Sequence, residues 1–201
     1  MELREQKEKL RVRLRAVLKG VSNAEAEEQS RTVLQKLMAL PQYESASSVA
    51  VYVSRSGELP TNEPYVSAIL EAGKRCYVPR FNASDKWSME MLRLDSVAEF
   101  RNLSVYRYGI RQFPWTVSQP TALEEGGLDL VLAPGLGFAV DGRRIGKGGG
   151  FYDRYFRRYK NSTGALPYLV GLALNEQMTD TVPTGRHDVD MDVVLFAKDS
   201  H

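Results

Sequence analysis

"LDLVLAPGLGFAVDGRRIGKGGGFYDRYF", residues 128 to 156, runs from an apolar segment through a glycine-rich loop into a charged, aromatic one. Leu128 to Ala133 is short and continuously apolar, the pattern of a strand buried on both faces. Phe151, Tyr155 and Tyr159 recur at four-residue spacing, as do Tyr152 and Phe156, which predicts a helix with an aromatic core-facing stripe. A strand feeding through a loop into a helix is the unit of a parallel α/β sheet.

The alternation continues on both sides. "VAVYVS" (49 to 54) and "RCYVPR" (75 to 80) predict buried strands, separated by a helix from about Pro64 to Ala72 that Gly73 stops. "SMEMLRL" and "DSVAEF" predict a further strand and short helix, and "YLVGLAL" (168 to 174) and "VVLF" (193 to 196) complete the strands. Leu3, Leu10, Leu14, Val17 and Leu18 make residues 3 to 18 an amphipathic helix whose stripe Lys7 interrupts. Its ammonium must snorkel past the contact or enter a cleft, and Arg11 projects beside it. Ser22 and Glu25 form a capping box opening a second helix, with Val33, Leu34, Leu37 and Met38 inward and Pro41 at its end. This pattern predicts a mostly parallel sheet covered on both faces, in a single domain over residues 1–201. In such sheets ligands bind beyond the carboxyl ends of the strands, where the glycine loop falls.

Composition sets limits on function. The chain has 201 residues and a net charge of only +2, so no strong basic excess announces a nucleic-acid binder, although residues 1 to 19 are locally basic. The one cysteine, Cys76, rules out an intrachain disulfide and a cysteine-cluster metal site, and points to a reducing compartment. No apolar stretch is long enough to span a bilayer as a helix. Cytosol is the expected location, and a monomer the expected state.

Residues 142 to 150 place five glycines among Arg143, Arg144 and Lys147. Clustered glycines let successive backbone N–H groups converge on an anion, and the helix that follows adds its own unpaired N–H groups and positive dipole end. Phosphate is the natural ligand. The P-loop is excluded, because only three residues lie between Gly142 and Gly146 where it needs four, and Gly148 follows Lys147. The dinucleotide fingerprint is excluded too, because Gly135 and Gly137 lack the third glycine. A plain surface turn remains the simpler alternative. Phe151 and Tyr152 could pack on a flat ligand, and Asp153 could pair with Arg157 along the helix or hold magnesium on phosphates.

"PGLGFAVDGRRIGKGGGFYDRYF" resembles the signature of the 5-formyltetrahydrofolate cyclo-ligase (5,10-methenyltetrahydrofolate synthetase) family. "KEKLR", "VYVSRSGE", "YVPRF", "YGI" at 108 to 110, "GLALNEQ" and "RHDVDMDVVL" follow the family's order and spacing, so the resemblance covers nearly the whole chain. It implies a three-layer α/β/α fold and ATP-dependent closure of 5-formyltetrahydrofolate to 5,10-methenyltetrahydrofolate, with magnesium present and ADP and phosphate released. The formyl oxygen would attack the γ-phosphate, the neighbouring folate nitrogen would close the ring, and phosphate would leave. Positioning and charge neutralisation would then dominate catalysis.

Residue by residue, the resemblance implies ATP binding by Lys7, Arg11, Arg144, Gly146, Lys147, Gly148, Gly149, Gly150, Phe151 and Tyr152. Arg144 and Lys147 would be the catalytic cations. Val53, Glu58, Phe81 and Tyr108, with Lys147, Gly150 and Phe151, would meet the folate, which could carry a polyglutamate tail. Asp153 and Asp188 would hold magnesium, with manganese as a possible substitute. Phe151 stands where tyrosine is usual, and Lys147 and Gly149 occupy variable positions. His187 reads as a loop histidine.

Two other readings compete. The layered fold and anion loop would also serve a sugar-phosphate isomerase or acyl-CoA transferase, but no isolated catalytic carboxylate can be assigned to either. The basic first helix and "DRYFRRYK" could bind nucleic acid, but the aromatics there follow core spacing and do not form a stacking platform. Neither nucleic acid nor membrane is an expected partner.

Overall fold

A computed structural model of the chain describes residues 2–82, 88–106 and 109–198. Helices α1 (Leu3–Leu18), α2 (Asn23–Met38) and the single turn α3 (Pro41–Ser45) lead to strand β1 (Ser48–Val51). Then come α4 (Asn62–Glu71), β2 (Arg75–Phe81), β3 (Met89–Leu94), α5 (Val97–Asn102) and the short pair β4 (Ser104–Val105) and β5 (Arg111–Gln112). β6 (Leu130–Ala133) enters the glycine-rich segment, which holds a hairpin of β7 (Gly137–Phe138) and β8 (Arg144–Ile145). α6 (Phe151–Thr163), β9 (Tyr168–Leu172) and β10 (Val193–Leu195) follow.

Six strands form one sheet in the order β10-β9-β6-β1-β2-β3, parallel throughout except for the antiparallel pair β2 and β3. From β1 the chain moves through α4 to β2 on one side, and from β6 it moves through α6 to β9 on the other. Right-handed crossovers in opposite directions place α4 and α6 on opposite faces. β1 and β6, paired at Val49 with Leu130 and Val51 with Leu132, are therefore the strands between which the sheet reverses direction. Their carboxyl ends open side by side.

The elements form where side-chain pattern and caps agree. Ser22 and Glu25 make the expected capping box of α2. β1 and β6 are buried at every residue, as strands covered on both faces should be. α1 buries Leu10, Leu14 and Leu18, while Leu3 and Val17 stay exposed, as does Met38 of α2. β1 stops at Val51, short of the expected Ser54, because the chain bends there into the turn that carries Glu58. Pro41 ends α2 and also opens α3 at its first position, where its missing N–H costs nothing.

One side chain seats the loop on the sheet. Phe138 of β7 is fully buried between Gly135 and Gly171 of β9. A Cβ at Gly171 would lie 2.7 Å from its ring and 3.2 Å from Met191 Cγ. At the hairpin turn, Gly142 has φ +91° and its carbonyl accepts from Met191 N at 2.8 Å. The loop is thus tied at both ends of the hairpin before it reaches α6.

Gly171→Ala should overpack this seat and cost about 1–3 kcal/mol of stability, read from urea or thermal unfolding against the parent chain. An unchanged midpoint would mean that Phe138 moves freely and does not anchor the hairpin.

Candidate functional site

A cleft of about 710 Å³ lies where the sheet reverses direction. Tyr52, Val53, Arg55 and Glu58 line it from the turn after β1, Pro79, Phe81 and Asn82 from the end of β2, and Pro134 and Gly135 from the end of β6. Arg144, Gly146, Lys147, Gly149 and Gly150 come from the loop, and Phe151, Tyr152 and Asp153 from the first turn of α6.

Gly150 caps α6 with φ +63° and has no side chain to occupy the first-turn N–H groups. These donors and the positive end of a 13-residue helix face whatever enters the cleft. Guanidinium groups hold carbonyls of the loop: Arg11 Nε donates to Gly146 O at 3.0 Å, Arg15 Nη2 to Lys147 O at 3.5 Å, and Arg154 Nη2 to Gly149 O.

Among the described residues Arg144 is the most buried cation, with a side chain only 3% exposed. Its Nη2 pairs with Asp153 Oδ1 at 2.8 Å, Nη1 donates to Pro134 O at 3.2 Å, and Nε has no partner. The Tyr152 hydroxyl is likewise buried without a partner. Burial, with Glu58 nearby, pushes that phenol far above its ordinary range, so it is a neutral donor. Unfilled buried donors on a cleft wall mark positions where an anionic or carbonyl-bearing ligand would be satisfied.

Across the cleft, Lys147 Nζ meets Glu58 Oε1 at 2.8 Å and Ser56 O at 3.3 Å, and Arg55 Nε holds the same carboxylate oxygen at 3.1 Å. Burial lowers the Lys147 pKa, with the Glu58 carboxylate opposing it. Phe81 and Phe151 meet edge to face, with ring centroids 5.2 Å apart, and offer an aromatic wall to a flat heterocycle.

Lys7 does leave the apolar stripe for a polar site: its ammonium lies 2.6 and 2.5 Å from the two oxygens of Asp188. Asp188 also accepts from Gly185 N at 2.6 Å. Asp153 Oδ1 accepts from Val189 N at 3.1 Å, which ties the start of α6 to the segment that carries Asp188. Arg157 donates to the backbone oxygen of Asp153, not to its carboxylate. Among the described residues no three His, Cys, Asp or Glu side chains converge as a metal cage. Two carboxylates, each already holding a cation, suit a magnesium ion that takes its other oxygens from water and phosphates.

Of the residues singled out in the sequence, Val53, Glu58, Phe81, Arg144, Gly146, Lys147, Gly149, Gly150, Phe151, Tyr152 and Asp153 line one cleft. Lys7, Arg11, Gly148 and Asp188 do not line it, but Arg11 and the Asp153 contact tie them to its loop. Tyr108 lies outside the described residues. His187 is exposed, with its ring nitrogens against the Arg157 and Arg186 guanidinium groups, in keeping with a loop histidine. Arg15 was missed, though it stands four residues beyond Arg11 and eight beyond Lys7 on the same helix face. Tyr52, Asn82 and Gln112 gave no local signal, because only the tertiary fold brings them to the cleft.

The chain matches the model of the 5-formyltetrahydrofolate cyclo-ligase family over residues 3–197. It is 35% identical over 187 residues to the 5-formyltetrahydrofolate cyclo-ligase of Mus musculus, covering 93% of this chain and 91% of that one. It is 34% identical over 195 residues to a probable 5-formyltetrahydrofolate cyclo-ligase of Caenorhabditis elegans, covering 96% and 94%. The NMR structure of the Aquifex aeolicus 5,10-methenyltetrahydrofolate synthetase superposes with a TM-score of 0.74 at 25% identity, covering 97% of this chain and 94% of that one. The Mycoplasma pneumoniae 5,10-methenyltetrahydrofolate synthetase shares the fold, with a TM-score of 0.68 at 18% identity, covering 98% and 100%. A sheet reversal that opens onto this glycine loop, together with matches along nearly the whole length, assigns the chain to the 5-formyltetrahydrofolate cyclo-ligase family.

Proposed function

We propose that the chain closes 5-formyltetrahydrofolate to 5,10-methenyltetrahydrofolate with ATP as co-substrate, and that the cleft at the sheet reversal is where it does so. The observation that carries this reading is the joining of two unlike surfaces in one cavity. It brings the glycine loop, the start of α6 behind the side-chain-free cap Gly150, Arg144 and Lys147 together with the apolar Phe81, Phe151 and Val53. A triphosphate suits the first and a pterin the second. Their contact would place the formyl oxygen against the γ-phosphate.

In this reading the loop N–H groups and Lys7, Arg11, Arg144 and Lys147 hold the phosphates. Arg144 and Lys147 neutralise charge on the phosphoryl group as it passes to the formyl oxygen, which leaves as phosphate once the neighbouring nitrogen closes the ring. Glu58 and the Tyr152 hydroxyl orient the folate. No side-chain base is needed. Asp153 and Asp188 would hold magnesium, which would supply neutralising positive charge to the phosphates; Lys7 and Arg144, which now hold those carboxylates, would then be free to hold phosphates. A monomer acting in the cytosol on folate with or without a polyglutamate tail completes the reading. It accords with a single thiol that burial makes unreactive by pushing its pKa up to about 12.

Mixing the protein with 5-formyltetrahydrofolate should raise the near-ultraviolet absorbance of the methenyl product only when magnesium and ATP are both present. A rise without nucleotide would overturn the ATP-dependent mechanism. Asp153→Asn keeps an acceptor for Arg144 and Val189, so thermal stability should barely change while turnover falls about a hundredfold. Normal magnesium-dependent turnover would remove Asp153 from the site.

The pH dependence has a definite sign. Lys147 binds phosphate only when protonated, and burial lowers its pKa from the ordinary 10.5, so ATP binding is lost on the alkaline side earlier than for an exposed lysine. Lys147→Arg, whose guanidinium stays charged, should carry that limb of the KM profile for ATP to higher pH. An unmoved limb would show that another group titrates.

A further inference from the structure

Arg154 projects from α6 back over the loop that precedes it. Its Nη2 donates to the Gly149 carbonyl, and its Nη1 lies so close to Gly150 that a Cβ there would come within 2.9 Å. The guanidinium carbon sits 5.6 Å from the centre of the Phe151 ring. Gly149 and Gly150 line the cleft, whereas Arg154 does not.

We propose that Arg154 is a positioning residue for the nucleotide: it fixes the plane of the Gly149–Gly150 peptide so that the Gly150 N–H faces the phosphates, without touching them itself. The inference rests on the reading that this loop holds ATP. The peptide is trans, as are all the described peptides, so its C=O and N–H point in opposite directions. A guanidinium that holds the carbonyl on the outer side therefore aims the N–H at the cleft. Without it, nothing in the two residues selects this plane, because a glycine pair has no side chains to oppose rotation of the peptide. The rotated peptide would turn a carbonyl oxygen toward the anion and exchange attraction for repulsion. Arg11 makes the same kind of contact with the Gly146 carbonyl, which shows the device used twice along one loop.

The test compares Arg154→Met and Arg154→Lys with the parent chain in three measurements. These are calorimetric affinity for magnesium-ADP, amide hydrogen exchange over residues 147–152 without nucleotide, and KM for each substrate. For Arg154→Met the expected result is an ADP affinity about tenfold weaker, the loss typical of a hydrogen bond to a charged group. Loop exchange should be faster before any nucleotide is added, and KM for 5-formyltetrahydrofolate unchanged. Arg154→Lys keeps one donor and should fall between the two; it carries the test alone if the methionine variant does not fold. Unchanged ADP affinity in the variants would overturn the proposal. Weaker affinity with unchanged loop exchange would also overturn it, because it would mean that Arg154 touches the phosphates directly. Failure of the parent chain to bind ADP would instead remove the nucleotide reading, and this inference with it.

Discussion

The parallel pairing of β1 with β6 is the constraint on which the rest of the molecule depends. Because the chain leaves these two strands in opposite directions, their carboxyl ends lie side by side with no crossover covering them. The turn after β1 brings Glu58 and the segment after β6 brings Lys147, and the two meet as an ion pair across the gap. Neither segment could make the site alone. The strand pairing sets the distance between the turn that carries Glu58 and the loop that carries Lys147.

Four cations in and beside the cleft are held by carboxylates before any ligand arrives. Lys7 holds Asp188, Arg144 holds Asp153, and Lys147 and Arg55 share Glu58. A buried cation without a partner would be expensive, and pairing each with a carboxylate lets the fold keep them desolvated. Arg144, at 3% exposure, shows how far this can go, since its Nε remains unfilled even so. The fold therefore keeps strong electrostatic groups at the site in a form that an incoming polyanion can rearrange.

Much of this architecture could be read from residue pattern, and the parts that could not share a physical cause. Five of the six strands of the main sheet were marked by compact apolar runs, because a strand covered on both faces leaves an uninterrupted signature, whereas Glu90 and Arg93 break the run of the edge strand β3. The two-residue ladders β4–β5 and β7–β8 were not, since two residues carry no periodicity. Lys7 stood out as a cation in an apolar stripe and proved to be engaged with Asp188, 181 positions away. That pairing had no signal in the sequence, because no local rule links residues so distant. Tyr52 and Gln112 fared worse: each looks like ordinary strand material, and only the folded chain shows them facing a ligand cavity.

The seating of Phe138 between Gly135 and Gly171 has a consequence for how such a site can vary. With the hairpin clamped there and again where Gly142 meets Met191, the path from β7 to α6 has a set contour length. Residues along it can be exchanged for others of suitable size. Insertions or deletions cannot be absorbed there, because each would shift the start of α6 relative to the sheet. A change of composition along this path leaves its length intact, whereas a change of length would pull against both clamps.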